Sequence, residues 1–268
     1  MSADGLSAGA DTTQDLTDVS YWDHFWDLTP VQIAPSRGRI RDQVREAVIE
    51  EISPWVRPRD RWVEIGCASS HLLYDFPNRL GARLDGVDAS EGALAATRAA
   101  LGHHAIEAEL SLHDFRELRD DERGAFDGVV SCGFVEHFAD CADVHRQLHR
   151  YLRPGGTVVT IVPNMAGVSG LLQMAVDEEI YLTHHVLTPP ILQESMEAAG
   201  FHVELCRPFM AFNLGVVNAG ALSPSVRRLT EILLVGSSRL VGVAELLSRR
   251  RLGPKLWRSP YLIAVATA

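Results

Sequence analysis

The chain predicts an α/β fold built on a doubly wound, mostly parallel sheet of seven strands. Three observations carry that expectation. Short apolar runs alternate with helix-like segments from residue 61 onward, the pattern of strands joined by crossover helices. The first run, WVEIG, ends in a single glycine and turns at once towards a helix, as strands do where ligands bind in such sheets. The chain closes on SPYLIAVATA, a strand separated from the others by a long helical stretch.

Residues 1–18, MSADGLSAGADTTQDLTD, have no apolar h-region or basic n-region, so they read as a disordered acidic leader and not as a signal peptide. Residues 19–56 form a helical cap. Within YWDHFWDLTP, Tyr21, Trp22, Phe25 and Trp26 share one helix face, and a second helix over 37–52 carries Ile40, Val44 and Val48. The core spans 57–207. RWVEIG is the first strand, 69–80 is helical, and ARLDGVD is the second strand. SEGALAATRAALG follows as a helix, capped by Ser90 and stopped at Gly102. AIEAELSLHD and FDGVVSCG are the third and fourth strands. The stretch 140–152 is helical, with Val144, Leu148, Tyr151 and Leu152 on one face, and RPGG turns the chain into the fifth strand, TVVTIVP. The pattern loosens over 164–187, which reads as a lid. TPPILQESMEAAG is a helix capped by Thr188 and stopped by Gly200, and FHVELCRP is the sixth strand. Residues 208–258 form a helical insertion before the final strand at 259–268.

At 268 residues, 46% apolar and 22% charged, the chain reads as one domain with additions. Cys67, Cys132, Cys141 and Cys206 form no C-x-x-C pair, which argues against disulfides or a zinc site and for a reducing cytoplasm. No apolar run approaches the roughly 18 residues that span a bilayer. The net charge of −10 argues against nucleic acid as a partner, because phosphate neutralisation needs clustered cations. A small-molecule substrate is the expected partner.

The first candidate site is Glu64-Ile65-Gly66-Cys67-Ala68-Ser69-Ser70 at the first strand-to-helix turn. Gly66 lets the backbone approach a ligand, and the helix behind it offers free N–H groups. Asp88, 22 residues later, is placed to accept hydrogen bonds from a ribose diol. A tight turn with a helix-capping Asp explains the same residues, so both readings stand at this point. The second and third glycines of the dinucleotide fingerprint are missing, which disfavours a pyrophosphate-bearing cofactor.

Five motifs occur in order: VEIGCASS, LDGVDAS, HDF, FDGVVSCGFVEHFAD and RYLRPGGTVVTIVPN. Together they resemble the class I S-adenosylmethionine (SAM)-dependent methyltransferases, in particular the small-molecule branch typified by ubiquinone and menaquinone biosynthesis. The resemblance covers about residues 60–207 and the last strand, and it implies a Rossmann-like core with SAM as cofactor. It places Glu64 and Gly66 against the amino-acid part of SAM, and Cys67 and Ala68 beside the methionine portion. Asp88 falls on the ribose, Ala89 beside the adenine, and His113, Asp114 and Phe115 around the adenine amino group and ring. Cys132 and Gly133 fall on the floor near the sulfonium. The family pattern usually has glycine at positions 68 and 70. Ala68 is a mild change if its φ is negative and a costly one if positive, and Ser70 can cap the next helix or meet the cofactor.

His137 follows the fourth strand on the cofactor side. His184 and His185, with Tyr181, lie in DEEIYLTHHVLT, where the family places substrate-lining residues. These three histidines are the candidates for removing a proton from an acceptor, and their spacing gives no metal site. The aromatic face of Tyr21, Trp22, Phe25 and Trp26 is either a lid over the substrate or ordinary core packing, and His24 is expected to pack among those rings. The segment 223–253 joins an apolar face to Arg227, Arg228, Arg239, Arg249, Arg250 and Arg251; a substrate lid, a homodimer contact and a peripheral membrane contact are its three readings. The functional expectation is methylation of a small molecule at oxygen or nitrogen. Methylation of a peptide or carrier-bound intermediate, C-methylation and a non-catalytic partner protein are the alternatives.

Overall fold

The computed structural model describes residues 14–28, 31, 33, 42–248 and 253–268. The helices are α1 (Val19–Leu28), α2 (Asp42–Ile52), α3 (Leu72–Asp75), α4 (Glu91–Gly102), α5 (Cys141–His149), α6 (Val168–Val176), α7 (Glu178–Leu182), α8 (Pro189–Ala198) and α9 (Pro224–Ser248). The strands are β1 (Arg61–Ile65), β2 (Arg83–Asp88), β3 (Leu110–Leu112), β4 (Phe126–Cys132), β5 (Leu152–Pro163), β6 (His202–Phe209) and β7 (Tyr261–Thr267). They form one seven-stranded sheet in the order β3-β2-β1-β4-β5-β7-β6. The first five strands are parallel, and β7 runs antiparallel between β5 and β6. Strand order reverses between β1 and β4, so a crevice opens beyond their carboxyl ends.

The central strands are apolar on both sides because helices cover both faces. Val63, Ile65 and Val129 pack with Leu148 of α5 and Leu192 of α8 on one side. Trp62, Leu84 and Val130 pack with Ile49 of α2, Leu73 of α3 and Leu94 of α4 on the other. A buried ion pair between Arg45 and Asp75 ties α2 to α3. Trp62 pairs in register with Gly128 on β4, and a Cβ at Gly128 would lie 2.2 Å from the indole ring.

Several expectations shift in detail. The third strand is confined to Leu110–Leu112. RPGG is not a turn before β5 but lies inside it: the pairing to β4 jumps from Phe126↔Leu152 to Gly128↔Thr157. The extra residues form a bulge held against the chain end, where Gly155 N–H meets Ala268 O at 3.0 Å and Ala268 N–H meets Gly156 O at 2.9 Å. The loosely patterned 164–187 contains α6 and α7, the latter capped by Asp177, which accepts from the Ile180 N–H. Ser90 caps α4, accepting from Ala93 N–H. Thr188 has the extended N-cap backbone but makes no capping bond, since prolines fill the first turn of α8. Gly200 ends α8 with φ 95°. The start of the helix expected at 37 and the arginines 249–251 lie outside the described residues, as does most of the leader. Among the described residues, no helix is long and apolar enough to cross a membrane.

Because the Trp62 ring occupies the space above Gly128, Gly128→Ala is expected to remove about 3 kcal/mol or more of stability, read as a lower midpoint in urea unfolding.

Candidate functional site

The turn after β1 is built by hydrogen bonds to β2. Gly66 N–H and Cys67 N–H both donate to Val87 O, at 2.9 and 3.3 Å. Gly66 takes φ 75°, and a Cβ there would sit 2.6 Å from Phe134 Cδ2, so this glycine is required twice over. Ala68 is outside the left-handed region, and Ser69 carries it instead with φ 59°. The missing glycines at 68 and 70 therefore create no strain at those positions. Ser69 N–H is held by Thr97 Oγ1 of α4 at 3.1 Å. Ser70 Oγ accepts the Leu72 N–H at 3.1 Å, and its hydroxyl also hydrogen-bonds the Glu64 carboxylate.

Asp88, at the end of β2, is the next fixed point. Its carboxylate accepts Ala68 N–H and Ser90 N–H, both at 3.0 Å. Burial raises its pKa against those bonds. Ser90 then donates its hydroxyl to Asp23 of α1 at 2.6 Å. Further bonds strap the N-terminal segment across the crevice. Leu16 N–H donates to His137 O at 2.8 Å, and Ala139 N–H to Asp15 Oδ1 at 3.2 Å. Asp18 caps α1 by accepting Tyr21 N–H at 2.8 Å.

These elements enclose a cavity of about 320 Å³. Of the residues singled out in the sequence, Gly66, Ala68, Asp88, Ala89, His113, Asp114, Phe115, Cys132 and Gly133 line it, with Trp22, Phe25 and Trp26 of α1 above. Two expected neighbours of a ligand stand back from the wall. Glu64 is buried behind the turn. The Cys67 side chain is fully buried in the core against Gly86 of β2, because its Cβ points away from the crevice. Tyr21 and Tyr181 are not on the wall either; Tyr21 hydrogen-bonds Thr183. His24 is exposed and does not pack among the rings.

Sequence reasoning found Phe115 but missed Phe134 and Phe138, which complete an aromatic wall with ring centroids 4.9–5.3 Å apart. Phenylalanines at irregular loop spacing give no periodic signal. It also missed Arg116, whose guanidinium holds the Asp114 carboxylate at 2.8 Å. Burial alone would raise the Asp114 pKa, but Arg116 brings it below the ordinary value.

Behind the floor lies a second polar group. Glu136 is buried with both carboxylate oxygens unpartnered, and a Cβ on Gly133 would lie 3.6 Å from its Oε1. Burial pushes the Glu136 carboxyl up to about 8 and raises the Tyr261 phenol, which faces Cys132 and Glu136. His137 Nδ1 meets Thr183 O at 2.6 Å, and His184 Nδ1 meets Ile180 O at 2.7 Å. A carbonyl can only accept, so both Nδ1 atoms carry the hydrogen and both Nε2 atoms keep a lone pair. His137 is neutral: burial, then the neighbouring His184, push its pKa down to about 3. Ligand atoms of Glu136, His137 and His184 all lie within 4.8 Å of one another. The spacing in sequence gave no such set; the fold assembles one that can accept a proton or hold a divalent ion. His185 is apart from it, bonded through its backbone to Glu136 O at 2.7 Å and through its ring to Gln14 O.

Residues 63–158 match the family model described as a methyltransferase domain. A ubiquinone biosynthesis O-methyltransferase of Pseudomonas aeruginosa is 33% identical over 101 residues, covering 36% of this chain and 41% of that protein. One of Nitrobacter winogradskyi is 30% identical over 175 residues, covering 59% of this chain and 64% of the relative. The chain thus spans about two fifths of the length of the first of these relatives. A SAM-dependent methyltransferase from Archaeoglobus fulgidus superposes with a TM-score of 0.55 at 20% identity, covering 84% of this chain and 94% of that one, a likeness of fold. Motif order and sheet topology agree with that match: residues 63–158 carry a methyltransferase-domain pattern, set in a Rossmann-like sheet.

Proposed function

We propose that this chain binds SAM in the crevice between β1, β2 and β4 and transfers its methyl group to an oxygen or nitrogen of a small-molecule acceptor. One observation carries the reading: the Asp88 carboxylate, fixed by two backbone N–H groups, one of them from the turn after Gly66, ends at the wall of the cavity that this turn also lines. The residues present suit the cofactor. Asp88 keeps lone pairs for a ribose diol, and the turn offers close backbone approach. Glu64 has a buried, unpartnered Oε2 behind that turn, which suits a ligand bearing positive charge. Bound SAM would supply an electrophilic methyl on a charged leaving group.

The chain's own part is alignment and exclusion of water. Trp22, Phe25 and Trp26 close the cavity from above, and the phenylalanine wall gives it an apolar side. The acceptor belongs next to Gly133, where Glu136, His137 and His184 converge. His137, held neutral with a low pKa, is a weak proton acceptor. Glu136 is the stronger base once ionised, because its pKa lies near neutral. The O-methyltransferase relatives favour an oxygen acceptor.

Two outcomes are expected. Asp88→Ala should weaken SAM binding about 30-fold or more, the loss of two charge-assisted hydrogen bonds, in a calorimetric titration. Glu64 has its carboxyl raised by burial from 4.5 to about 8, so the folded state keeps a proton that the unfolded state releases. Stability therefore falls as pH climbs through that window. In cofactor-free protein, Glu64→Gln should raise Tm by several degrees near pH 8.5 and leave it unchanged near pH 4.5, while weakening SAM binding about tenfold or more.

A further inference from the structure

Helix α9 is 25 residues long and is held to the body along one side. Leu234 is buried, and Ser238 Oγ accepts the Leu214 N–H at 2.9 Å. The opposite side carries Val226, Leu229, Ile232, Leu233 and Leu240, all exposed, with Leu233 at 63% and Leu240 at 72%. At roughly 100° per residue these five cover an arc of about 120°. None of the residues lining the cavity comes from 208–258, so this stripe does not close the site described above. The segment 223–268 holds eight Arg or Lys against two Glu, in a chain whose net charge is −10. Arg228 is exposed about 40° from the edge of the stripe, Arg227 is exposed on the first turn, and the same segment exposes Trp257 at 59%.

We propose that the outward face of α9 docks on an anionic bilayer surface, lying in the interface plane. A long amphipathic helix with an apolar stripe, flanking arginines and too little hydropathy to span is the form that interfacial helices take. The local positive charge of 223–268 in an otherwise acidic protein favours anionic headgroups over neutral ones. A second copy of the chain fits less well. Symmetric pairing of two α9 helices would set the basic segment against itself, and Ile232 broadens the stripe beyond the narrow seam of a helix pair.

The test is sedimentation of the full chain with vesicles of phosphatidylcholine, with and without about 30% phosphatidylglycerol, alongside light scattering of the lipid-free protein. Binding is expected to the anionic vesicles only and to fall about tenfold or more in about 0.5 M salt. The double variant Leu229→Glu/Leu233→Glu and the double variant Arg227→Glu/Arg228→Glu should each lose it about tenfold or more, with unfolding midpoint and SAM affinity unchanged. All of these side chains are exposed, so folding is not at stake. Absence of vesicle binding would overturn the proposal, as would equal binding to both vesicles. A lipid-free dimer dissociated by Leu233→Glu, without lipid binding, would assign the face to a second copy instead.

Discussion

The cavity depends on one carboxylate. Asp88 sits where β2 ends and gathers the N–H of Ala68 from the turn after β1 and the N–H of Ser90 from the start of α4. Ser90 passes the constraint on to Asp23 of the covering helix. Turn, sheet edge, helix and lid are thereby positioned by a group that also faces the cavity. The arrangement explains why an acid belongs at that position even before a ligand is considered: without it, two part-buried N–H groups would lose their protein acceptor.

A second constraint is electrostatic. Glu64 and Glu136 are buried under the turn and the floor, Glu64 with one carboxylate oxygen unmet beside its Ser70 hydrogen bond and Glu136 with both unmet. Isolated buried charges are costly, so these groups hold protons up to a pH of about 8. A cavity backed in this way favours a cationic ligand, because a positive charge entering it stabilises the ionised form. The same logic keeps His137 neutral, so the acceptor side carries an uncharged imidazole.

Much of this was legible in the sequence. Alternating runs located all seven strands, and Gly66, Asp88 and the ordered motifs located the cavity, because these signals depend on local spacing. Long-range placement was not legible. The convergence of Glu136 and His137 with His184 is set by two loops meeting across the sheet end, and nothing in the spacing of 137 and 184 encodes it. The inward turn of Cys67 and the left-handed Ser69 were hidden for a different reason. The glycine pattern marks which residues tolerate φ above zero, whereas here the strain-bearing position moved by one residue. The bulge within β5 escaped because Pro-Gly-Gly reads as a turn wherever it stands, and only the chain end at Ala268 shows that it stays inside a strand.

The central claim is that this cavity pairs a buried, protonated carboxylate with a cationic nucleoside ligand. Calorimetric titration with SAM from about pH 6 to about pH 8.5, in buffers of different ionisation heat, tests it most directly. The account predicts affinity that rises with pH, and release of up to about one proton per SAM near neutrality. SAM binding that is independent of pH and releases no proton, or no binding at all, would contradict it.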